Sequence, residues 1–346
     1  MEMKQWCLVQ ADTALPVWEL KTGMLRPLPA PGHVRVAVEA SGINFADALM
    51  MQGLYGDAPK TPFVPGYEVV GSIQAIGEGV SAEMLHQRIM AFTPFGGFSS
   101  MIDLPASQVV MAPTQLSSPQ ACALVTAYVT AWYLSEVLTS VQPGDQVLVH
   151  SAAGAVGRAL MEHSIQQGAR VWFSSRNPEK LQALSEEFPG QVPVLNRSEQ
   201  PWWTQISADQ KFDRIFDPLA GLHLAQGYKR LRPGGVLLSY GAAVRSGRKS
   251  LIRDALMILN SGIYNPITML LASRSIATLN MLHVGRERPE LLLKGLKTMA
   301  ERAQRGYLRP PLAAAVSVAD FESTMLAFAR GERQGKLALV WNLSHI

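Results

Sequence analysis

The feature that most constrains the fold is a glycine-rich turn between an apolar strand and a helix. It reads QVLVH, then SAAGAVG, then RALMEHSIQQG, over residues 146–168. Against the pattern G-x-G-x-x-G, the three key positions are Ala152, Gly154 and Gly157, so the first glycine is replaced. Gly154 lets the backbone approach a pyrophosphate, and Gly157 lets the helix pack closely on the strand.

The helix that follows this turn begins with free N–H groups at the positive end of its dipole, which favours an anion there. The alternative is a tight turn with a purely structural role. The strands before and after the turn favour nucleotide binding. We therefore predict a dinucleotide site that includes Ala153, Gly154, Ala155, Val156 and Gly157.

The end of the second strand of this region selects the cofactor. An NAD site uses Asp or Glu there to accept bonds from the ribose 2′-hydroxyl, but this stretch reads Phe173-Ser174-Ser175-Arg176-Asn177. Cations at this place suit a 2′-phosphate, which needs charge-assisted donors. We therefore predict NADP rather than NAD, unless these cations are ordinary solvated side chains. The predicted contacts are Ser174, Arg176, Lys180 and Arg197.

Strands and helices alternate from residue 124 onward, which is typical of βαβ units in a parallel, doubly wound sheet. The predicted strands are 146–150, 169–175, 193–196, 213–217, 235–242 and 275–282. A helical insertion over 243–272, interrupted at Asn265-Pro266, breaks this rhythm.

Short β-like runs broken by Gly and Pro fill the first ~120 residues, with one helix near 45–52, and favour a small barrel. The C-terminal segment returns to short strands around a helix. We therefore predict an α/β protein of three segments. They are 1–123 (barrel domain, first part), 124–282 (dinucleotide-binding domain) and 283–346 (return to the barrel domain).

Composition narrows the function classes. The 346 residues exceed one ordinary domain. Two cysteines, Cys7 and Cys122, suit a reducing compartment, so a cytoplasmic protein is expected. The longest apolar run, 121–134, is shorter than the ~20 residues of a membrane span and predicts a buried helix. A net charge of +4 without nucleic-acid motifs argues against nucleic-acid binding.

Four stretches together resemble the medium-chain dehydrogenase/reductase superfamily. They are SGINFADALMMQGLYG, PFVPGYEVVGSIQAIGEGV, AAGAVG and LRPGGVLLSYGA. The chain is most similar to the zinc-free quinone oxidoreductase group, and SGRKSLIRDAL with SRSIATLNML resembles the branch named after the vesicle amine transport protein. The resemblance implies a GroES-like β-barrel catalytic domain, an inserted Rossmann domain and a homodimer.

The positions that match the superfamily's zinc ligands lack them here. The segment Ala40-Ser41-Gly42 has no cysteine, Tyr67 stands in place of the histidine of Gly-His-Glu, and Thr126 lies at the third thiolate position. The four-cysteine structural lobe is also missing. The resemblance therefore implies no metal, and hydride transfer from NADPH to an already electron-poor quinone or α,β-unsaturated carbonyl.

The resemblance also implies roles for single residues. Asn44, Asp47 and Tyr55 would lie in the substrate cleft beside the nicotinamide. Asn44 would donate its amide N–H, and Tyr55 would donate a hydrogen bond, or a proton, to the substrate oxygen or α-carbon. Thr130 and Asn280 would contact the nicotinamide and its ribose. Gly241 would let the cofactor pass the sheet edge, and Lys336 would meet the pyrophosphate or ribose.

Plainer explanations exist for several of these residues. Asn44 is a good helix N-cap, with Asp47 favourably placed in the first turn. Tyr55 lies between glycines and would simply close a loop, and Thr130 would bond to its own helix.

Two other functions also remain open. One is an enoyl reductase acting on a lipid or polyketide chain. The other is a non-catalytic NADPH-binding protein that acts at a membrane surface.

Overall fold

The computed structural model describes residues 2–12, 16–24, 27–241, 243, 250–311, 313–333 and 335–341. They form two compact units, one within 1–129 and 282–346, the other within 130–246 and 250–281. The predicted boundaries after residues 123 and 282 lie within six residues of these limits, and the functional assignment of the segments stays a prediction. Residues 244–249 of the predicted insertion lie outside the described residues.

The strands follow the short apolar runs of the sequence. In chain order they are β1 (Glu2–Gln10), β2 (Val17–Met24), β3 (His33–Ile43), β4 (Glu68–Ile76), β5 (Arg88–Phe92), β6 (Met101–Pro105), β7 (Val110–Met111), β8 (Gln146–Val149), β9 (Arg170–Ser175), β10 (Val192–Leu195), β11 (Phe212–Asp217), β12 (Leu231–Ser239), β13 (Ser275–Thr278), β14 (Ala314–Ser317) and β15 (Leu337–Val340).

The helices concentrate in the second half of the chain. They are α1 (Phe45–Met51), α2 (Ser118–Ala123), α3 (Val129–Trp132), α4 (Ala155–Gln166), α5 (Pro178–Glu187), α6 (Leu222–Lys229), α7 (Leu251–Ser261), α8 (Pro266–Ala272), α9 (Met281–Glu287), α10 (Pro289–Gln304) and α11 (Phe321–Ala329). π-Helical turns over Leu124–Tyr128 and Tyr133–Val137 make 118–137 one helical run, most of it buried, as the apolar sequence predicts.

The first unit is built on a sheet of order β14-β15-β3-β4-β5-β7, with β6 also paired to β3. Its pairs are antiparallel except β14 with β15. Val34, Val36 and Val38 of the long strand β3 pack in one core, as alternate residues of a strand do, and Arg35 between them is also buried and pairs with Asp103 at 2.8 Å. A second core packs aromatic side chains from β1, β2 and α11, where Trp6 stacks on Phe321 at 5.1 Å. The β1–β2 hairpin was not predicted.

The second unit is a six-stranded parallel sheet of order β10-β9-β8-β11-β12-β13. This is the order of a dinucleotide-binding sheet, in which the direction of winding reverses between β8 and β11. Ligands of such sheets bind outside the carboxyl ends of the strands near that reversal. The prediction of a doubly wound α/β sheet is confirmed.

Two predicted strands are shorter than expected. The strand expected over 275–282 ends at Thr278, because its partner β12 ends at Ser239 and offers no ladder beyond it; α9 begins at Met281. Among the β-like runs predicted in the first ~120 residues, the one at 107–113 forms a strand only over Val110–Met111 (β7), because Pro105 leads into a 3₁₀ turn over Ala106–Gln108.

Membrane-spanning length is not reached by any single helix among the described residues. Two consecutive helical segments, Asp254–Ser261 and Pro266–Ala272, reach the length and apolar composition of a membrane span only when they are taken together. The two segments meet at a bend of 41°.

Candidate functional site

The glycine-rich turn connects β8 to α4 in the second unit. Gly154 is the N-cap of α4, with an extended backbone (φ −80°, ψ 162°), and among the described residues no side chain caps the helix there. A Cβ at Gly157 would lie 2.4 Å from the Ser151 carbonyl oxygen, so a side chain cannot enter without moving the backbone. The helix therefore presents N–H groups that no side chain caps, and its first turn packs tightly against the strand end. This arrangement fits a bound pyrophosphate.

The predicted contacts Ala153, Ala155 and Val156 lie in the same turn and are half-buried. Ala152, at the position of the missing first glycine, is fully buried, and its N–H donates to the Ser174 carbonyl oxygen at 3.0 Å. This bond ties the turn to the end of β9. The Ala152 N–H therefore holds the glycine-rich turn beside the end of β9, where the cofactor is expected to be selected.

Three predicted cations surround the end of β9. Arg176 is exposed directly after the strand, and the Arg197 guanidinium donates to its carbonyl oxygen at 3.2 Å. The Asn177 side chain caps α5 by accepting from the Lys180 N–H at 3.0 Å. Burial lowers the pKa of Lys180, and Glu179 partly offsets this. The structure therefore brings Arg176 and Arg197 together, with Lys180 in the first turn of the next helix.

Ser174 faces the interior of the second unit. Its hydroxyl lies 2.8 Å from Nδ1 of His150, and both side chains are fully buried. Burial holds the pKa of His150 well below its ordinary value, so this imidazole is neutral. The Ser174 hydroxyl is therefore hydrogen-bonded to the neutral imidazole of His150. The sequence analysis did not identify His150 as a contact of Ser174.

A buried polar cluster lies in the first unit where β3, β4 and β15 meet. The Lys336 ammonium forms an ion pair with the Glu68 carboxylate and donates to Oδ1 of Asn44 at 2.9 Å. Glu68 also accepts from Nδ2 of Asn44 at 3.2 Å and from the Thr126 N–H at 2.7 Å. The orientation of the Asn44 amide follows from chemistry, because an ammonium only donates and a carboxylate only accepts.

In this cluster, both the oxygen and the nitrogen of the Asn44 amide form hydrogen bonds, and the Lys336 ammonium is paired with Glu68. The side chain of Lys336 is 1% exposed. Asn44 is the N-cap of α1 through its extended backbone (φ −121°, ψ 159°), while its side chain points to Glu68 and Lys336. The role predicted for Lys336 toward the cofactor stays a prediction. Glu68 contacts Lys336, Asn44 and Thr126, but the sequence analysis noted it only as part of the Gly-Tyr-Glu segment.

Asp47 lies beside this cluster and is fully buried in the first turn of α1. Its carboxylate accepts from the Asn44 N–H at 2.8 Å and from the Gly66 N–H at 3.3 Å. Burial raises the pKa of Asp47 to about 7, against the lowering effect of these bonds and of Lys336. Asp47 therefore joins α1 to the start of β4, and its structure supports a positioning role.

Two tyrosines lie on the same side of the first unit. The rings of Tyr55 and Tyr67 are 6.3 Å apart, edge to face. The Tyr67 hydroxyl is buried and forms no hydrogen bond of normal geometry within the described part of the chain. Burial, and after it the nearby Tyr55 hydroxyl, raises the pKa of Tyr67. Burial also raises the pKa of Tyr55, so this phenol stays protonated at neutral pH. A hydrogen bond between Nε2 of His283 and the Asp57 carboxylate, at 2.9 Å, joins the Tyr55 loop to α9.

The positions that match zinc ligands are engaged in other contacts. The Ser41 hydroxyl donates to the Gly97 carbonyl oxygen at 2.6 Å, and Tyr67 packs against Phe95 at 5.5 Å. In the described ranges, no three His, Cys, Asp or Glu side chains are grouped as a metal site would require.

The remaining predicted contacts belong to the second unit. Thr130 is buried in α3, and Asn280 lies just before α9 with an exposed side chain. A Cβ at Gly241 would lie 2.9 Å from the Pro218 carbonyl oxygen, so this position needs a glycine for close backbone approach. Asp217 ends β11 nearby, and its carboxylate accepts from the Leu219 N–H at 2.6 Å.

Comparisons with known proteins agree with this architecture. Residues 30–114 match the alcohol dehydrogenase GroES-like domain family. The human synaptic vesicle membrane protein VAT-1 homolog is 28% identical over 318 residues, which cover 91% of this chain and 80% of that protein. The chain belongs to the medium-chain dehydrogenase/reductase superfamily. Its place there is the zinc-free, VAT-1-like branch, which confirms the resemblance.

Solved structures of this superfamily have the same fold. The Thermus thermophilus quinone oxidoreductase, also crystallised with NADPH, is 25% identical, with a TM-score of 0.77 over 98% of this chain and 100% of that one. The CurK enoyl reductase is 22% identical, with a TM-score of 0.81 over 98% of this chain and 99% of that one. The predicted fold class, a GroES-like domain with a Rossmann domain, is confirmed.

Proposed function

We propose that this protein is an NADPH-dependent oxidoreductase that reduces a quinone or an α,β-unsaturated carbonyl without zinc. The observation that carries the proposal is the geometry of the N-terminus of α4. Gly154 is its N-cap residue, and Gly157 lets the first helical turn pack closely on the backbone of Ser151. Such a terminus binds a pyrophosphate through N–H groups and the helix dipole. Membership of an oxidoreductase superfamily supports the redox use of that cofactor.

The preference for NADPH rests on the end of β9. Arg176 and Arg197 lie together there, with Lys180 in the following helix turn. Guanidinium groups bind phosphate in bidentate fashion, whereas a ribose 2′-hydroxyl needs an acceptor. The quinone oxidoreductase of Thermus thermophilus, which was solved with NADPH, supports the same cofactor.

Tyr55 is the proposed donor to the substrate. When bound, NADPH would supply the hydride, and reduction of an enone would then need a group that stabilises negative charge on the carbonyl oxygen and a source of one proton. A protonated Tyr55 hydroxyl stabilises that charge by donating a hydrogen bond. Asn44 is less suited to this task, because its amide is held by Glu68 and Lys336.

Two further functions have support of their own. An enoyl reductase of lipid or polyketide chains is supported by a 32% identical stretch of 231 residues in a Mycobacterium tuberculosis polyketide synthase subunit. That stretch covers 66% of this chain and 10% of the synthase. A non-catalytic role at a membrane surface is supported by the VAT-1 homolog, a vesicle membrane protein by name.

Turnover by the purified full chain separates these functions. We would follow NADPH and NADH consumption with benzoquinone, a short aliphatic enone and a long-chain enoyl thioester, and measure cofactor binding by tryptophan fluorescence. NADPH-preferring turnover of the quinone or enone is expected. Turnover of the thioester alone would favour the enoyl reductase. Tight NADPH binding without turnover of any acceptor would contradict the proposal.

The proposed enzyme acts as a homodimer. The support is an apolar surface on α7, α8 and the turn between them, where Ile263, Leu270 and Leu271 are 76–94% exposed.

A further inference from the structure

Tyr67 is a buried tyrosine whose hydroxyl has no hydrogen-bond partner among the described residues. Its ring belongs to a core cluster of the first unit, and the residue is only 9% exposed. A buried hydroxyl without a partner costs free energy, and a phenylalanine would fill the same space without that cost. The Tyr67 hydroxyl therefore needs an explanation other than the stability of the fold.

The backbone around Tyr67 holds its side chain in a fixed place. Gly66 has a positive φ of 101°, and a Cβ there would lie 2.7 Å from the Phe98 nitrogen, so this position requires glycine. The Gly66 N–H donates to the Asp47 carboxylate at 3.3 Å, and the Tyr67 carbonyl oxygen accepts from the Thr93 N–H at 2.9 Å. Tyr67 therefore extends from a part of the backbone that is bonded on both sides.

Tyr55 lies in a different setting, in the loop that follows α1, and its side chain is half-buried. Its carbonyl oxygen accepts from the Ala58 N–H at 3.2 Å, a bond within the same loop. Loops are more mobile than the helices and strands they connect. The direction in which the Tyr55 O–H points therefore depends on the groups that lie against it.

The two tyrosines meet edge to face, with ring centroids 6.3 Å apart and ring planes at 60°. Burial raises the pKa of both phenols. The next largest effects have opposite signs, because the Tyr67 hydroxyl lowers the pKa of Tyr55 and the Tyr55 hydroxyl raises the pKa of Tyr67. These are the directions expected when Tyr67 donates and Tyr55 accepts. Since a hydroxyl can accept and donate at once, Tyr55 keeps its own proton for another acceptor.

We propose that Tyr67 is a positioning residue for Tyr55: its hydroxyl donates to the Tyr55 oxygen and directs the Tyr55 O–H toward the substrate oxygen. The inference rests on the role of Tyr55 in the proposed function. Hydrogen bonds of catalytic groups are often long before substrate binds and tighten in the complex. A phenol that accepts one hydrogen bond donates the other more strongly, because the two bonds polarise each other. Tyr67 thereby both orients Tyr55 and strengthens it as a donor.

Three charged groups also act on the Tyr55 hydroxyl. Asp57 and Asp47 raise the pKa of Tyr55 by their charge, and Arg286 lowers it, each less than burial and the Tyr67 hydroxyl do. Tyr67→Phe keeps the ring and leaves all three groups in place. A change in the ionisation of Tyr55 in this variant therefore reports the loss of the Tyr67 hydroxyl.

Ionisation of Tyr55 tests the contact without any turnover. The full chain is prepared with 3,5-difluorotyrosine at position 55, whose phenol ionises at lower pH than that of tyrosine, and the pKa of this label is measured by fluorine NMR. The ionised label is a strong acceptor, so Tyr67→Phe is expected to raise its pKa by about 0.5–1 unit. Tyr307→Phe, which removes an exposed hydroxyl of the same unit, is the matched control and should not shift it. An unchanged pKa in Tyr67→Phe, with the fold verified by circular dichroism, would overturn the proposal.

Kinetics of the unlabelled variants test the positioning role. Tyr67→Phe is expected to lower kcat about tenfold, with the Kd for NADPH unchanged. Tyr55→Phe and the double variant Tyr55→Phe, Tyr67→Phe should have equal kcat, because Tyr67 acts only through Tyr55. Losses that add in the double variant would overturn the positioning role, since Tyr67 would then act on the substrate directly. A wild type without turnover would count against the proposed reaction, whereas the pKa of the label tests the contact between the hydroxyls independently.

Discussion

Lys336 and Glu68 form a buried ion pair, with side chains 1% and 0% exposed, across the junction of two distant parts of the chain. Glu68 opens β4, and Lys336 directly precedes β15. The pair also holds both ends of the Asn44 amide. A charge buried in this way depends on its partner, because an uncompensated ion in the interior is costly.

Removal of the lysine alone should therefore destabilise the protein strongly. Lys336→Met leaves the Glu68 carboxylate buried without its cation and should lower the free energy of unfolding by about 3–5 kcal/mol. The double variant Lys336→Met, Glu68→Gln should recover part of that loss. Urea denaturation measures both. A double variant less stable than Lys336→Met would contradict this account of the pair.

This cluster also shows where sequence reasoning reaches its limit. The resemblance singled out Asn44 and Lys336 for substrate and cofactor, but their mutual contact joins residues 292 positions apart. Neither the spacing nor the capping preference of Asn44 indicates that contact. The glycine-rich turn and the parallel sheet were predictable because their signals are local. The C-terminal end of β13 was not predictable from the sequence, because it depends on where its partner strand β12 ends.

Cofactor preference should depend on the cations at the end of β9. Arg176→Ala with Lys180→Ala removes donors to a 2′-phosphate and should weaken NADPH binding about tenfold to a hundredfold, with little effect on NADH. Titration of tryptophan fluorescence with each cofactor measures this. Arg170→Ala, an exposed cation at the other end of β9, is the control. Equal losses for the two cofactors would refute the 2′-phosphate assignment.

Tyr55 should affect turnover more than binding. Tyr55→Phe keeps the ring packing but removes the hydroxyl, so kcat should fall about a hundredfold while the Kd for NADPH stays unchanged. Steady-state kinetics with the best acceptor, beside a binding titration, separates the two. Tyr307→Phe changes an exposed tyrosine of the same unit and should leave both values unaltered. Unchanged turnover in Tyr55→Phe would assign Tyr55 to loop closure.

The buried carboxyl of Asp47 should make stability depend on pH. Its pKa of about 7 lies above the ordinary 3.8, so between these values the folded protein holds a proton that the unfolded chain has released. Its contribution to the free energy of unfolding therefore decreases as pH rises from about 4 to about 7.

Asp47→Asn removes this contribution, so the stability of the wild type relative to the variant should be larger near pH 4.5 than near pH 7.5. Urea denaturation at both values tests this. Asp209→Asn, at an exposed carboxylate, is the control variant. A difference between wild type and Asp47→Asn that grows with pH would show that the carboxyl is ionised in the fold.

In the proposed reaction, NADPH bound at the glycine-rich turn would donate a hydride to the substrate. The most direct measurement supplies NADPH deuterated at the transferring C4 position, with an enone acceptor, and locates the label in the product by mass spectrometry and NMR. We predict one deuterium at the β-carbon of the saturated product. A product without deuterium, or tight NADPH binding with no product from any enone or quinone, would contradict the account.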